Sequence, residues 1–346
     1  MVVLTRFVAA AICSLLTTRV SVKFATSMSE DQQKQVAVVG AAAYVGGPLL
    51  RLLKKQGYET VALVRDTSDT SSLTGVADRI VRGDLSDFRF VEEATKGCCA
   101  ILDLVNQLNP PCKTLEEQLE NDVPPLEACL HAGLKHGARV VYTSGNFSMP
   151  TLGRSGAIDE TLVSSPTFGH IDEMAGVMVL AETKHRCEHF VHQFVQVHPR
   201  SQACSLIPAA TYGPGLGGRV SFWDSVPAWY LAGYFKDFMT GFIHVEDLAR
   251  CYLAVVERGR GGGRYLAAGQ PLKVSEFVAM YAAAAGIPLD GAAERGVFAN
   301  AQQLVYDDSA TRRELGIEWE RDLRESLTEH MAYLRQHGKL TLTAPT

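Results

Sequence analysis

Val36-Ala-Val-Val-Gly40-Ala-Ala-Ala-Tyr-Val-Gly46-Gly47, continued by Pro48-Leu-Leu-Arg-Leu-Leu53, is the stretch that leaves this chain the fewest options. An apolar, mostly β-branched run ends at Gly40, and a helix-forming run begins within a few residues. A buried first strand that turns directly into a first helix has this pattern, and it is the opening unit of a doubly wound α/β domain. Gly40 permits the tight turn, and Gly46 lets the helix lie close to the strand. Tyr44 and Val45, at the helix N-terminus, offer backbone N–H groups to a pyrophosphate. Ala43 stands where the usual pattern has its middle glycine, so a ligand there meets a methyl group. Many helices simply start after a glycine. The strand before and the helix after make dinucleotide binding the better reading.

The remainder of the chain is compatible with that reading and excludes several others. Of its 346 residues, 47% are apolar, enough for a sizeable core, and the charged fraction of 21% is ordinary. A net charge of -5 with no basic block argues against a nucleic-acid partner. The eight cysteines form no CxxC pair and no Cys/His spacing, so they read as reduced, packed thiols, and no metal site is expected. Residues 1–28 carry Arg6, Arg19 and Lys23, several Ser and Thr, and no acid, around an apolar run (Phe7 to Leu16) too short to span a bilayer. They suit an organelle transit segment, mitochondrial or other. A secretory signal fits less well because Arg19 and Lys23 fall where a cleavage region is neutral, and Met28 is an alternative start for a cytoplasmic protein. No transmembrane segment is expected.

Further along, Thr60-Val-Ala-Leu-Val64 reads as a second strand ending in Arg65-Asp66. An acid at this strand end suits the 2′-hydroxyl of NAD, whereas the planar fork of Arg65 suits a 2′-phosphate, which favours NADP(H) over NAD(H). A third strand near Arg79-Ile-Val81 runs into Gly83-Asp84-Leu85 and a capped helix from Phe88 to Lys96. Cys99 to Val105 is a fourth strand and Ala138 to Thr143 a fifth, joined by a helix from about Leu115 to His136 whose pattern is broken at Pro124-Pro125. A long helix from Ile171 to Val197 precedes a sixth strand, Ala203 to Ile207, stopped by Pro208. Gly241 to Val256 reads as a short strand and a helix capped near Glu246, and Val274 to Ala285 and Arg321 to Gln336 as amphipathic helices. Regular alternation of helix and strand predicts a parallel sheet. The expected organisation is an N-terminal segment (1–35), a dinucleotide-binding domain (36–211) and a mainly substrate-side lobe (212–346), with 241–257 returning to the first domain.

These residues resemble the extended short-chain dehydrogenase/reductase family, near its epimerase/dehydratase and dihydroflavonol-reductase branch. Gly40-Ala-Ala-Ala-Tyr-Val-Gly46 is similar to its cofactor loop, Leu63-Val-Arg65 to an NADP-type second strand, and Gly83-Asp84-Leu85 to its adenine-side contact. Val140-Val-Tyr-Thr-Ser-Gly145, Ile158-Asp-Glu-Thr161, Pro208, Tyr212-Gly-Pro-Gly215, Phe242-Ile-His-Val-Glu-Asp-Leu248 and Asp308 to Gly316 follow in the family's order. The resemblance spans Val36 to about His337. It implies an α/β fold, a Rossmann-type doubly wound parallel sheet with a smaller C-terminal substrate lobe, and a cofactor held by Gly40, Ala43, Tyr44, Val45, Gly46, Arg65, Asp84, Leu85, Lys184 and Pro208.

The same resemblance implies a catalytic Tyr-x-x-x-Lys pair and a serine after the fifth strand. Spacing of i,i+4 sets the lysine beside the phenol on one helix face, where it holds ribose hydroxyls and lowers the phenol's pKa from about 10. Lys184 supplies the lysine. Leu180 stands at the tyrosine's position and Gly145 at the serine's, so two of the three chemical groups are missing. Ser144 or Ser148 would fill the gap only with a shift in register; Tyr142, Asn146, His170, Asp172 and Glu173 are neighbours for which a plain structural role is the simpler reading. Two functions follow. One is a divergent NADP(H)-dependent oxidoreductase acting on a small carbonyl or alcohol. The other is a catalytically silent nucleotide-binding subunit or redox sensor of the same fold. Expected partners are a small-molecule substrate or none, and a second copy in a homodimer. Nothing from Gly215 to Trp229 specifies the substrate.

Overall fold

A computed structural model describes residues 34–106, 114–149, 156–162, 175–231, 238–287 and 304–340. The segment read as targeting lies outside these residues, as do His170, Asp172 and Glu173. In chain order the elements are β1 (Gln35–Val39), α1 (Gly46–Lys55), β2 (Glu59–Val64), β3 (Arg79–Arg82), α2 (Phe88–Ala94), β4 (Cys98–Asp103), α3 (Leu115–His136), β5 (Arg139–Thr143), β6 (Gly156–Ile158), α4 (Ala175–Val197), β7 (Cys204–Pro208) and β8 (Ala210–Tyr212). They continue with α5 (Val226–Leu231), β9 (Met239–His244), α6 (Val245–Arg258), β10 (Arg264–Ala267), β11 (Gln270–Lys273), α7 (Val274–Ala285), β12 (Leu304–Tyr306), α8 (Ser309–Leu315) and α9 (Leu323–Gln336).

Seven strands form one parallel sheet in the order β3-β2-β1-β4-β5-β7-β10. The chain reverses its direction of winding between β1 and β4, which places the ligand crevice at their C-terminal ends. Strand residues alternate faces. Val36, Val38, Ala62, Val64 and Leu102 pack under α1 and α6, while Ala37, Val39, Leu63, Ile101 and Val140 pack under α3 and α4. Both faces are dry, as the uninterrupted apolar runs of β1, β2 and β4 require. The described cysteines belong to this interior, five buried and Cys99 half-buried, all as free thiols.

Two features differ from the sequence reading. Helix α3 runs unbroken through Pro124 and Pro125. Each proline removes one backbone donor, but the half that follows is held by Leu126, Cys129 and Leu130 in the core and closed by Gly137 at φ 69°. The main sheet also takes its outermost strand from β10, a four-residue element too short to stand out in the sequence. Helix α6 packs back on the sheet through Leu248, Tyr252 and Val255. The strand before it, β9, joins β8 and β11 in a separate small sheet. That sheet, α7 and α9 share a second core in which the rings of Phe242 and Phe277 stack 4.1 Å apart. Among the described residues no helix is long and apolar enough to cross a membrane.

Candidate cofactor and active site

The turn after β1 is shaped by what cannot fit in it. Gly40 has φ +74°, and a Cβ there would lie 3.1 Å from Val105 N. A Cβ on Gly46 would come within 2.0 Å of Ala41 O, so only glycine lets α1 start this close to the strand. The turn closes with Ala43 N–H donating to Gly40 O (2.9 Å) and Gly46 N–H to Ala43 O (3.0 Å). The N–H groups of Tyr44 and Val45 have no partner among the described residues. No side chain caps α1. Open donors at the positive end of a ten-residue helix, behind a glycine cradle, fit a dinucleotide's diphosphate. Ala43 is exposed. Tyr44 donates its phenol to Gly213 O at 2.6 Å, which ties the turn after β1 to the glycine-rich turn that opens the smaller lobe.

The neighbouring strand ends lie on the same edge of the parallel sheet. Arg65 follows β2 directly and is exposed; its guanidinium has no hydrogen-bond or ion-pair partner among the described residues. Asp84 follows β3 and uses Oδ1 to accept from Ser86 N–H (2.8 Å), while Leu85 is buried. Pro208 ends β7, paired with Ala267 of β10.

Lys184 and Leu180 sit one turn apart on α4, both buried. The lysine ammonium donates to Thr143 O at 2.9 Å, at the end of β5, and lies 5.0 Å from the centroid of the Tyr142 ring. Tyr142 points into the core, and burial pushes its phenol well above its ordinary pKa, which disqualifies it as a ready proton donor. Gly145 follows in extended backbone. The two serine hydroxyls nearby are already committed. Ser144 Oγ and Ser148 Oγ both donate to Glu188 Oε1, the latter at 2.5 Å. The second oxygen of Glu188 accepts from Arg264 Nε (2.9 Å) and Nη2 (2.7 Å), and Arg264 Nη1 donates to Glu160 O and Leu162 O. Asn146 is likewise occupied, donating to Thr240 Oγ1 at 3.0 Å.

Glu188 and Arg264 were not anticipated. Glu188 lies one turn beyond Lys184 on the same face of α4, a spacing that signals shared surroundings. Arg264 lies 76 residues further on and carried no local signal.

A second unanticipated group is Asp103, the last residue of β4 and the one carboxylate in that otherwise apolar strand. It is 1% exposed; Oδ1 accepts from Val105 N–H at 2.9 Å and Oδ2 has no partner among the described residues. Burial raises its pKa to about 7, opposed by that hydrogen bond and by the nearby Lys184 charge, and assisted by Asp122. The folded state therefore keeps a proton that the unfolded chain releases. Stability from this group is full at low pH, falls as pH rises from about 4 to about 7, and is level above that. Asp103→Asn is expected to abolish that slope and to raise stability at pH 8 by ~2–4 kcal/mol. Urea unfolding at pH 5 and pH 8 checks it; an equal stability change at both pH values would assign the effect to packing instead.

A family model described as the NAD dependent epimerase/dehydratase family matches residues 36–268, more than half of the chain. The chain belongs to this family. Cinnamoyl-CoA reductase 1 of Oryza sativa subsp. japonica is 24% identical over 94% of this chain and 98% of its own length. Dihydroflavonol 4-reductase of Dianthus caryophyllus is 23% identical over 68% and 69%. Among solved structures, yeast methylglyoxal/isovaleraldehyde reductase complexed with NADPH superposes with a TM-score of 0.69 at 19% identity, covering 88% of this chain and 99% of that one. The match places the chain in the extended short-chain dehydrogenase/reductase group, with a Rossmann-type fold that binds a nucleotide of the NAD(P) class.

Proposed function

We propose that this protein is an NADP(H)-binding oxidoreductase of the extended short-chain dehydrogenase/reductase type. It acts on a small carbonyl compound or alcohol, with Gly145 and Leu180 at the positions of the family's serine and tyrosine. The observation that carries this is the buried Lys184 at the C-terminal edge of β5, one turn from Leu180 and beside the cofactor crevice. A bound nicotinamide supplies or accepts the hydride. Lys184 would hold the ribose hydroxyls, the amides of Tyr44 and Val45 would face the diphosphate, and Arg65 would face a 2′-phosphate. The proton has no donor at position 180, so it comes from water or from an atypical group, and turnover is slow.

Preference for the phosphorylated nucleotide rests on Arg65, exposed and without a partner among the described residues. A charge-assisted contact of this kind contributes ~1.5–3 kcal/mol, roughly ten- to a hundredfold in affinity. Arg65→Ala is expected to weaken NADPH by that factor and leave NADH nearly unchanged, as read by fluorescence titration. Equal losses for both would withdraw the NADP(H) assignment.

A second reading, a silent nucleotide-binding subunit or redox sensor, is favoured by the commitment of Ser144 and Ser148 to Glu188, which leaves neither hydroxyl ready to polarise a substrate. A turnover screen over ketones and aldehydes with NADPH separates the two: binding without turnover supports the silent subunit.

A further inference from the structure

Arg82, the last residue of β3, is exposed, yet its guanidinium is directed at one loop. Nη1 donates to the backbone oxygens of Asp66 and Ser68, each at 2.9 Å, with a longer contact of 3.5 Å to Arg65 O. Nη2 donates to Thr70 Oγ1 at 2.6 Å. Arg219 Nη2 also holds the loop, donating to Asp69 O at 3.1 Å. In a trans peptide the C=O and the following N–H point to opposite sides. Drawing the oxygens of Arg65, Asp66 and Ser68 onto Arg82 therefore turns the N–H groups of Asp66, Thr67 and Asp69 away from it. None of those three N–H groups has a partner among the described residues. The loop thus keeps its negative dipole ends against Arg82 and its donors turned away from it, beside Arg65, which has no partner among the described residues.

We propose that Arg82 is a positioning residue for nucleotide selection: it fixes the Arg65–Thr70 loop in the one arrangement that accepts a phosphate monoester at the end of β2. This rests on the NADP(H) reading above. A 2′-phosphate carries close to two negative charges and three acceptor oxygens, so it gains from outward amides and loses if the loop turns its carbonyls toward it. A 2′-hydroxyl, neutral and both donor and acceptor, is indifferent to that choice. Holding the loop before the ligand arrives also removes an ordering penalty from binding. Lysine cannot replace this clamp fully, because an ammonium is a compact point charge without the planar fork that reaches several acceptors at once.

The test is titration of the full chain with NADPH and with NADH for the wild type, Arg65→Ala, Arg82→Met, Arg82→Lys and Thr70→Val, with a thermal melt of each. Arg82→Met is expected to weaken NADPH about tenfold and NADH less than about twofold, with Arg82→Lys recovering part of the loss. Thr70→Val, which removes one acceptor and leaves the charge, is expected to shift the NADPH-to-NADH ratio in the same direction by about two- to threefold. A merely structural Arg82 would weaken both nucleotides alike; equal losses, or an unchanged ratio while Arg65→Ala still loses NADPH, would overturn the proposal and leave the NADP(H) reading standing. An Arg65→Ala variant that binds NADPH as the wild type does would overturn the reading beneath it, and the proposal with it. If Arg82→Met does not fold, Thr70→Val decides, an unchanged ratio counting against the proposal.

Discussion

Gly145→Ser combined with Leu180→Tyr is expected to raise turnover of small carbonyl compounds with NADPH by ~10²–10⁴-fold, the usual contribution of a positioned general acid. The setting for both groups is present. Position 180 lies one turn before Lys184 on α4, so a phenol there would have an ammonium for a neighbour, and that charge favours the phenolate. Gly145 has extended backbone, φ -171° and ψ 152°, which a serine adopts without strain. Leu180 is 6% exposed, and the larger ring will strain its surroundings by ~1–3 kcal/mol; a melt of the double variant is part of the measurement. On the proposed reading, in which Lys184 holds the ribose, Lys184→Met in the wild-type background should weaken nucleotide binding. A wild type that already turns over fast and ignores Lys184→Met would place the working acid elsewhere.

The other large effect belongs to Gly46. Replacing it with leucine should reduce affinity for NADPH and NADH alike by more than about a hundredfold, because the obstacle is backbone. The added Cβ would meet Ala41 O at 2.0 Å and its carbonyl carbon at 2.8 Å, atoms that cannot swing aside as a side chain can. Relief requires the Ala41–Val45 turn to move, and with it the Tyr44 and Val45 amides. The strain is expected to lower stability by ~1–3 kcal/mol, so the variant folds and the loss is read by titration of folded protein. Tight binding by Gly46→Leu would show that the diphosphate does not rest on this turn.

What could be read from the sequence was local. The strand, turn and helix from Val36 to Leu53 are contiguous, and each residue's role follows from neighbours within a few positions. The apolar runs of β2, β4 and β5 announced strands for the same reason. What escaped was assembled across distance or against local preference. Pro124-Pro125 contradict a helix locally, and only the packing of Leu126 to Leu130 under the sheet overrides them. β10 has four residues after a glycine-rich turn and is a strand because β7 is there to pair with it. The commitment of Ser144 and Ser148 depends on Glu188, itself held by an arginine on that edge strand, a relation no short pattern encodes. Asp103 is the instructive intermediate: a lone carboxylate in an apolar strand is visible in the sequence, but its shifted proton affinity needs the burial and the neighbours that folding supplies.

The hydrogen bond from Tyr44 to Gly213 has a thermodynamic corollary. It joins the turn proposed to meet the nucleotide to the turn from which the smaller lobe departs, 169 residues away in sequence. Two binding events that bias one shared contact are linked, and linkage is reciprocal: whatever factor nucleotide contributes to occupancy of the lobe, a ligand in the lobe returns to the nucleotide. Order of addition is then a matter of rates, and the two coupling factors are one quantity seen from either end.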